Sequence, residues 1–440
     1  MTTKNQYGLL TCIAMIVGVV IGSGIFFKSD NILIATNGSI FLGALAFCIA
    51  AISIIFGSLT IAELASRNDK AGGIISYAED AYNGGVACAF GWFQAFLYYP
   101  ALIAVVCYVV GIYVCMLFGL TSTIELKMII GLIATFVLFA INFFSNKLAG
   151  YFQTSATFIK LIPLVLIGVA GFIFGKPSLV FDASSSEFAS ATWLSALIPI
   201  VFSFDGWIVA TSISHEVKNA KKNVPLALIC APLAILIIYL LYFIGISIYL
   251  GPDVILSSGD QHVELAASQL FGPWAAKGIL IFVIISVAGT ANGLMMGLYQ
   301  LPYSLAIRGM FPKSDKVSKI NEKWDTPVTS YMVGLAIVLF WTVMNYIATK
   351  YNLLPGSDVS EIAITLNYVL FILLYIQVLR LGFKGEVKGF WKGKFNPILA
   401  TIGSLIILYV GFLNPLFLFY VFFCTILLVA AYLFWWKTNK

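Results

Sequence analysis

Charge is what this sequence lacks. Lys plus Arg number 25 and Asp plus Glu 19 in 440 residues, together 10% of the chain, where a soluble globular protein carries about 25%. So few charges cannot cover the surface of a water-soluble fold of this length. The apolar fraction of 61% also excludes a disordered chain. Histidine is nearly missing: His215 and His262 are the only two. The seven cysteines are an odd number, lie in or beside apolar stretches and form no CxxC pair. Neither a disulfide framework nor a zinc site is indicated. No G-x-x-x-x-G-K-[ST] phosphate loop is present, so ATP-driven chemistry has no footing.

What is present is apolar sequence in long runs, with a mean hydropathy of +0.99. Crossing about 30 Å of hydrocarbon takes about 20 helical residues. Twelve runs qualify: 8–36, 39–65, 82–118, 124–145, 149–174, 191–217, 224–250, 275–309, 327–348, 358–381, 396–412 and 415–436. The expected fold is therefore all-α, with twelve transmembrane helices in a single domain. Residues 8–24 imitate a signal peptide with a small-residue cleavage site. The weak basic start (Lys4) and the apolar sequence that resumes at once argue for a first span instead.

Basic residues set the expected orientation. With the N-terminus inside, the inner loops and tails hold 19 Lys and Arg and the outer loops hold five, Lys28, Lys127, Lys176, Lys277 and Lys350. Both termini are expected in the cytoplasm, and the basic clusters read as topology signals rather than as a nucleic-acid surface. Lys160 belongs to neither set.

Three features break the rules of a plain apolar helix. In span 1, Gly18, Gly22, Ser23 and Gly24 weaken the helix. Unpaired backbone in a bilayer survives only where it is buried in protein or lines a cavity. A break there frees N–H groups suited to a carboxylate; close helix packing through small residues is the competing reading. In span 6, Asp205 and Gly206 lie mid-span between Phe202, Ser203, Phe204 and Trp207. An intramembrane carboxylate is costly and a functional candidate by default; an Asp that merely stabilises a kink is the alternative. In span 5, Lys160 lies about eleven residues into the helix, too deep for an easy reach to the interface. Unwound carbonyls would satisfy it.

The two interruptions correspond. Spans 1–5 and 6–10 are five helices each, hence of opposite orientation, and each block is interrupted in its first helix. Such pairing in inverted halves points to a midplane substrate site. The division expected is 1–174 for the first repeat, 191–381 for the second and 396–436 for two helices outside the repeat.

At these residues the sequence resembles the amino acid–polyamine–organocation superfamily, and more narrowly its L-type amino acid transporter branch with the bacterial serine/threonine and alanine–serine–cysteine exchangers. The resemblance runs over essentially the whole chain. It rests on Val20-Ile21-Gly22-Ser23-Gly24-Ile25-Phe26, on Ala71-Gly72-Gly73 followed by Tyr77, and on Phe202-Ser203-Phe204-Asp205-Gly206-Trp207. Glu216-Val217-Lys218-Asn219, Asn292-Gly293 and Arg308-Gly309-Met310-Phe311-Pro312 complete it.

The resemblance implies a substrate site between broken helices 1 and 6. The substrate carboxylate would meet the backbone N–H groups of Ser23 and Gly24 and the Ser23 hydroxyl, with Ile21 and Gly22 also counted among the substrate-binding residues. The α-amino group would meet the carbonyls of Val20, Phe202, Ser203 and Asp205. Phe202 matches an aromatic that closes over substrate, and Lys160 matches a lysine that takes the place of a sodium ion in sodium-coupled relatives. The function implied is sodium-independent exchange of small neutral L-amino acids by alternating access in the plasma (inner) membrane, without a cofactor or metal. A proton-coupled amino acid symporter is the alternative, and a membrane-embedded enzyme a more distant one. Three departures stand out: Val287-Ala288-Gly289-Thr290 replaces the usual Phe-Gly before Asn292, Asp205 replaces a glycine of many members, and the loop after span 3 lacks a cysteine for a disulfide-linked ancillary subunit.

Overall fold

The computed structural model describes residues 7–22, 24–68, 70–121, 123–181, 192–321, 326–354, 358–412 and 415–438. Among them, nine helices are long and apolar enough to cross a membrane: Ile40–Arg67, Gly84–Phe118, Ile124–Phe144, Asn146–Phe174, Ala220–Leu250, Pro273–Ala306, Val328–Lys350, Glu361–Phe383 and Phe417–Thr438. These match nine of the twelve expected runs to within a few residues. The other three fall short for visible reasons. The first run is divided into Leu9–Val20, Gly24–Phe27 and Ser29–Ala35. The sixth is divided into Leu197–Phe204 and a 3-10 segment, Val209–Glu216. The eleventh, Asn396–Phe412, has only 17 residues.

Four of the long helices carry a side-chain N-cap, which satisfies an amide that has no partner inside the helix. Ser39 Oγ accepts from Leu42 N, Asn83 Oδ1 from Val86 N, Thr123 Oγ1 from Leu126 N and Ser145 Oγ from Leu148 N. Gly119, at φ +61°, ends Gly84–Phe118 in the left-handed conformation that glycine adopts cheaply.

The most extensive interface joins Ile40–Arg67 to Ala220–Leu250, and the next joins Tyr99–Phe118 to Pro273–Leu298. Asn146–Phe174 crosses Ala220–Leu250 through glycines. A Cβ on Gly171 or Gly245 would strike the opposing backbone. Small residues of this kind let helices approach closely when apolar burial alone cannot drive association in lipid. Leu9–Val20 is surrounded by Asn146–Phe174, Ala220–Leu250 and Pro273–Leu298. Leu197–Phe204 lies against Ile40–Arg67 and Asn396–Phe412. The two interrupted helices thus occupy the centre, while Ile124–Phe144 and Phe417–Thr438 are peripheral and mostly exposed.

Candidate functional site between two interrupted helices

The first interruption begins after Val20. Ile21 N still donates to Val17 O, but Ile21 leaves helical geometry at ψ 85°, and Gly22 N turns back onto Val20 O at 2.9 Å. Carbonyls here lose their helical donors and must find others. Lys160 supplies two. Its Nζ donates to Gly18 O at 2.6 Å and to Ile21 O at 2.7 Å. It also donates to Ser286 O at 3.0 Å and approaches Thr290 Oγ1 at 3.4 Å. Lys160 is fully buried. The Thr290 hydroxyl donates to Gly18 O at 3.0 Å, so the break is clamped from Pro273–Ala306 as well as from Asn146–Phe174.

The second interruption follows Phe204. Gly206 has φ +91°, and a Cβ there would meet Val19 Cγ1. Only glycine combines that conformation with that contact. One side chain joins the two breaks: Tyr239 OH lies 2.7 Å from Ser203 O and 3.1 Å from Val20 O, its single hydrogen shared between them. Tyr242 OH donates to Phe26 O at 3.1 Å.

Asp205 is buried at the second break. Its Oδ2 accepts from Tyr98 OH at 2.7 Å. Tyr98 ends a π-turn, Gln94–Tyr98, in the middle of Gly84–Phe118. The wider turn alters the direction of the side chains that follow, and such turns recur at functional sites.

A cavity of about 70 Å³ lies between the two breaks. Val20, Gly22 and Gly24 line it from the first helix, and Ser203, Asp205 and Gly206 from the second. Thr290 adds a hydroxyl, and Leu102, Val106, Val287 and Leu294 form apolar wall. Five of the residues expected from sequence therefore meet at one cavity: Val20, Gly22, Gly24, Ser203 and Asp205. Ile21 is not among the lining residues; its carbonyl is held by Lys160, which stands behind the break. Ser23 lies outside the described residues. Phe202 falls within Leu197–Phe204, and its side chain is likewise outside the description.

Sequence reasoning missed Tyr239, Thr290 and Tyr98. The only signal was a hydroxyl in an apolar run, which many structural residues share. It also missed a second polar cluster at the end of Val209–Glu216. There the buried Glu216 carboxylate accepts from Gln300 Nε2 at 2.9 Å and from Asn146 Nδ2 at 3.4 Å. Tyr331 OH donates to Asn146 Oδ1 at 2.9 Å and Tyr7 OH to Asn146 O at 3.0 Å. Tyr7 N donates to Glu216 O, and Lys218 N returns a bond to Tyr7 O. Five segments of chain are tied at this point.

Between the two clusters, Asn146–Phe174 presents Gln153 and Thr157. Thr157 Oγ1 donates to Ala14 O at 2.8 Å, and Gln153 Oε1 accepts from Asn292 Nδ2 at 2.9 Å. The histidines do not join this system as a metal pair. His215 stacks on Tyr303, and His262 contacts Gly259 O. No group of three metal-capable side chains occurs among the described residues.

Two broken helices face one another across this cavity, and the chain that forms them is similar over its length to known proteins. Over 412 residues the chain is 30% identical to a serine/threonine exchanger of Bacillus subtilis, covering 92% of this chain and 90% of that one. It is 24% identical over 419 residues to the mouse b(0,+)-type amino acid transporter 1, covering 92% and 82%. Against the human cystine/glutamate transporter the identity is 28% over 337 residues, covering 75% and 66%. The family profile described as amino acid permease matches residues 7–436. The chain is a multi-pass membrane protein that belongs to the amino acid permease family.

Proposed function

We propose that this protein is a secondary carrier that exchanges small neutral L-amino acids across the inner membrane, independently of sodium and by alternating access. The observation that carries the reading is the pair of interrupted helices, held face to face by Tyr239 around a small cavity, with a lysine ammonium on the freed carbonyls of the first. The substrate carboxylate is assigned to the backbone N–H groups of Ser23 and Gly24 and to the Ser23 hydroxyl, since the N–H groups of Ile21 and Gly22 are already bonded to Val17 O and Val20 O. The α-ammonium is assigned to the carbonyls of Val20, Phe202, Ser203 and Asp205, and Phe202 is assigned the closing of the site. Half-helix ends at a midplane cavity suit a zwitterion, positive ends facing carboxylate and freed carbonyls facing ammonium. The serine/threonine exchanger among the relatives supports a small neutral substrate.

The architecture proposed is twelve spans in two inverted five-helix repeats, 1–174 and 191–381, with 396–436 outside them and both termini cytoplasmic. Reciprocal packing supports it. Leu9–Val20 lies on Ala220–Leu250 as Leu197–Phe204 lies on Ile40–Arg67. The second helices of the two halves pack on one another, and so do the third. The proposed partners are amino acids and the bilayer, with no nucleic acid, cofactor, metal or disulfide-linked subunit.

The test is purified protein in liposomes. Exchange predicts that labelled serine or alanine enters only vesicles preloaded with an amino acid. Entry into empty vesicles at the same rate would reject exchange, and absence of entry into either would reject the substrate class.

A further inference from the structure

The turn between Glu361–Phe383 and Asn396–Phe412 carries more than an orientation signal. Residues 384–394 hold four lysines, Lys384, Lys388, Lys392 and Lys394, and one acid, Glu386. The turn is folded back on the helices it joins. Val387 is buried, and a Cβ on Gly382 would strike the Gly393 carbonyl. A π-turn, Trp391–Phe395, leads into Asn396–Phe412. Two contacts fasten the turn to the end of Ile40–Arg67: Arg67 Nη2 donates to Glu386 O at 2.6 Å, and Lys392 Nζ lies 3.4 Å from Glu63 Oε1. Arg67 and Arg380 each lie in the last turn of a membrane-crossing helix, so the segment between them sits at the membrane surface.

Two features of this turn are not answered within the protein. Glu386 and Glu63 are taken by Arg67 and Lys392, and neither Lys384 nor Lys388 forms an ion pair among the described residues. Phe390 and Trp391, outside any expected span, are each 63% exposed. Trp391 is held in that position by Phe395, their ring centroids 4.5 Å apart. An orientation signal needs charge alone. Large aromatics on a water-facing turn are a cost, whereas at the headgroup level their amphipathic rings are favoured. Lysines just beyond a span attract anionic lipid, and their stems can lie along apolar surface while the ammonium stays among headgroups. A zwitterionic lipid would cover the aromatics but leave the lysines unanswered. Free phosphate would do the reverse. A second copy of the turn would set lysine against lysine.

We propose that residues 384–392 form a binding site for an anionic phospholipid. Lys384 and Lys388 meet the charged headgroup, and Phe390 and Trp391 lie at the level of the glycerol and the upper acyl chain. Lys392 and Arg67 are positioning residues: through Glu63 and Glu386 they fix the turn against the end of Ile40–Arg67 and take up the local acids that would otherwise neutralise the free lysines.

The experiment uses the full chain in vesicles of phosphatidylcholine and phosphatidylglycerol, with one or the other lipid brominated in its acyl chains. Bromine quenches tryptophan on contact, and the difference between wild type and Trp391→Phe isolates Trp391 among the nine tryptophans. The readout is the affinity of that position for phosphatidylglycerol relative to phosphatidylcholine. Each lysine near an anionic surface contributes about fivefold, so wild type is expected to prefer phosphatidylglycerol by about tenfold or more. Lys384→Gln/Lys388→Gln should reduce the preference to within about threefold. Lys316→Gln/Lys319→Gln, which removes two exposed lysines of another turn, should leave it unchanged. Equal affinity in wild type would overturn the proposal, as would a preference that survives Lys384→Gln/Lys388→Gln or falls equally in both double variants. Displacement by inorganic phosphate at constant ionic strength would overturn it by making the ligand a free anion. Absence of quenching by either lipid would show that Trp391 does not face the bilayer. If Trp391→Phe does not fold, the phosphatidylglycerol retained by purified wild type and Lys384→Gln/Lys388→Gln, read by mass spectrometry, decides: equal retention overturns the proposal. No outcome depends on transport, so failure of the carrier reading is distinguishable from all of these.

Discussion

The Lys160 ammonium lies 2.7 Å from the Ile21 carbonyl oxygen, 139 residues away in sequence. That carbonyl is released by the break in the first helix, and the ammonium replaces its missing helical donor. Removing the lysine leaves Gly18 O and Ile21 O without their closest donor in a dry environment. Such a loss costs about 1–3 kcal/mol per unsatisfied group. Lys160→Ala should therefore cut exchange strongly, while external amino acid still binds. Equilibrium binding and vesicle exchange measured on the same preparation separate the two effects. Normal exchange in Lys160→Ala would show that the clamp is dispensable.

The sodium independence proposed above rests on the same contact. In that proposal a fixed ammonium supplies the charge at the unwound carbonyls, and no ion gradient is needed to fill the position. Uptake into preloaded vesicles should be the same in sodium and in choline. A sodium requirement in the wild type would refute the role given to Lys160, whatever its variants do.

Gly24 faces the second broken helix at close range. A Cβ on it would lie 3.2 Å from Ser203 Oγ, a tight contact before any branch is added. Gly24→Val should abolish exchange by filling the cavity between the breaks, while the protein still elutes as a folded species in detergent. Wild-type uptake by this variant would remove the first break from the site.

Phe202 precedes Ser203 within Leu197–Phe204, and the role proposed for it is to close over bound substrate. Closure of that kind excludes water and gates turnover. Phe202→Ala should slow exchange more than it weakens equilibrium binding. Weak binding with normal turnover would instead make Phe202 part of the recognition surface.

Glu216 ties Val209–Glu216 to Gln300 on Pro273–Ala306 and to Asn146 on Asn146–Phe174. Truncating it removes the acceptor of the Asn146 amide at 3.4 Å and the closer acceptor of the Gln300 amide, which keeps only a 3.5 Å contact to Tyr331 OH. Glu216→Ala should lower thermal stability in detergent, by about 1–3 kcal/mol for each amide left unmade, and should slow exchange. Glu216→Gln, which keeps an acceptor oxygen, should fall nearer wild type. Melting curves of the two variants decide. Equal curves for wild type and Glu216→Ala would show that the cluster carries no stability.

The sequence by itself determined where the chain can cross a bilayer and where it cannot remain helical. Lipid offers no hydrogen bonds, so a span must be long and apolar. The expected run 82–118 and the helix Gly84–Phe118 accordingly agree to two residues. The same rule marked Gly22–Gly24 and Asp205-Gly206 as breaks, because glycine and carboxylate are expensive there. Lys160 was legible because an ammonium cannot stay unpartnered in hydrocarbon. What only the tertiary structure decided is which groups answer those demands. Tyr239 is one of 21 tyrosines, and nothing in Ile237-Ile238-Tyr239 says that its hydroxyl will meet Val20, 219 residues away, and Ser203. Thr290 looked like a departure from a motif until it closed on Gly18 O. Tyr98 became informative only when a π-turn brought it to Asp205. Hydroxyls are cheap enough in a membrane helix to occur without a role, so sequence cannot separate those that bond across helices from those that bond to their own. The packing of Leu9–Val20 among three other helices makes that choice, because it fixes which freed carbonyl lies within reach of which donor.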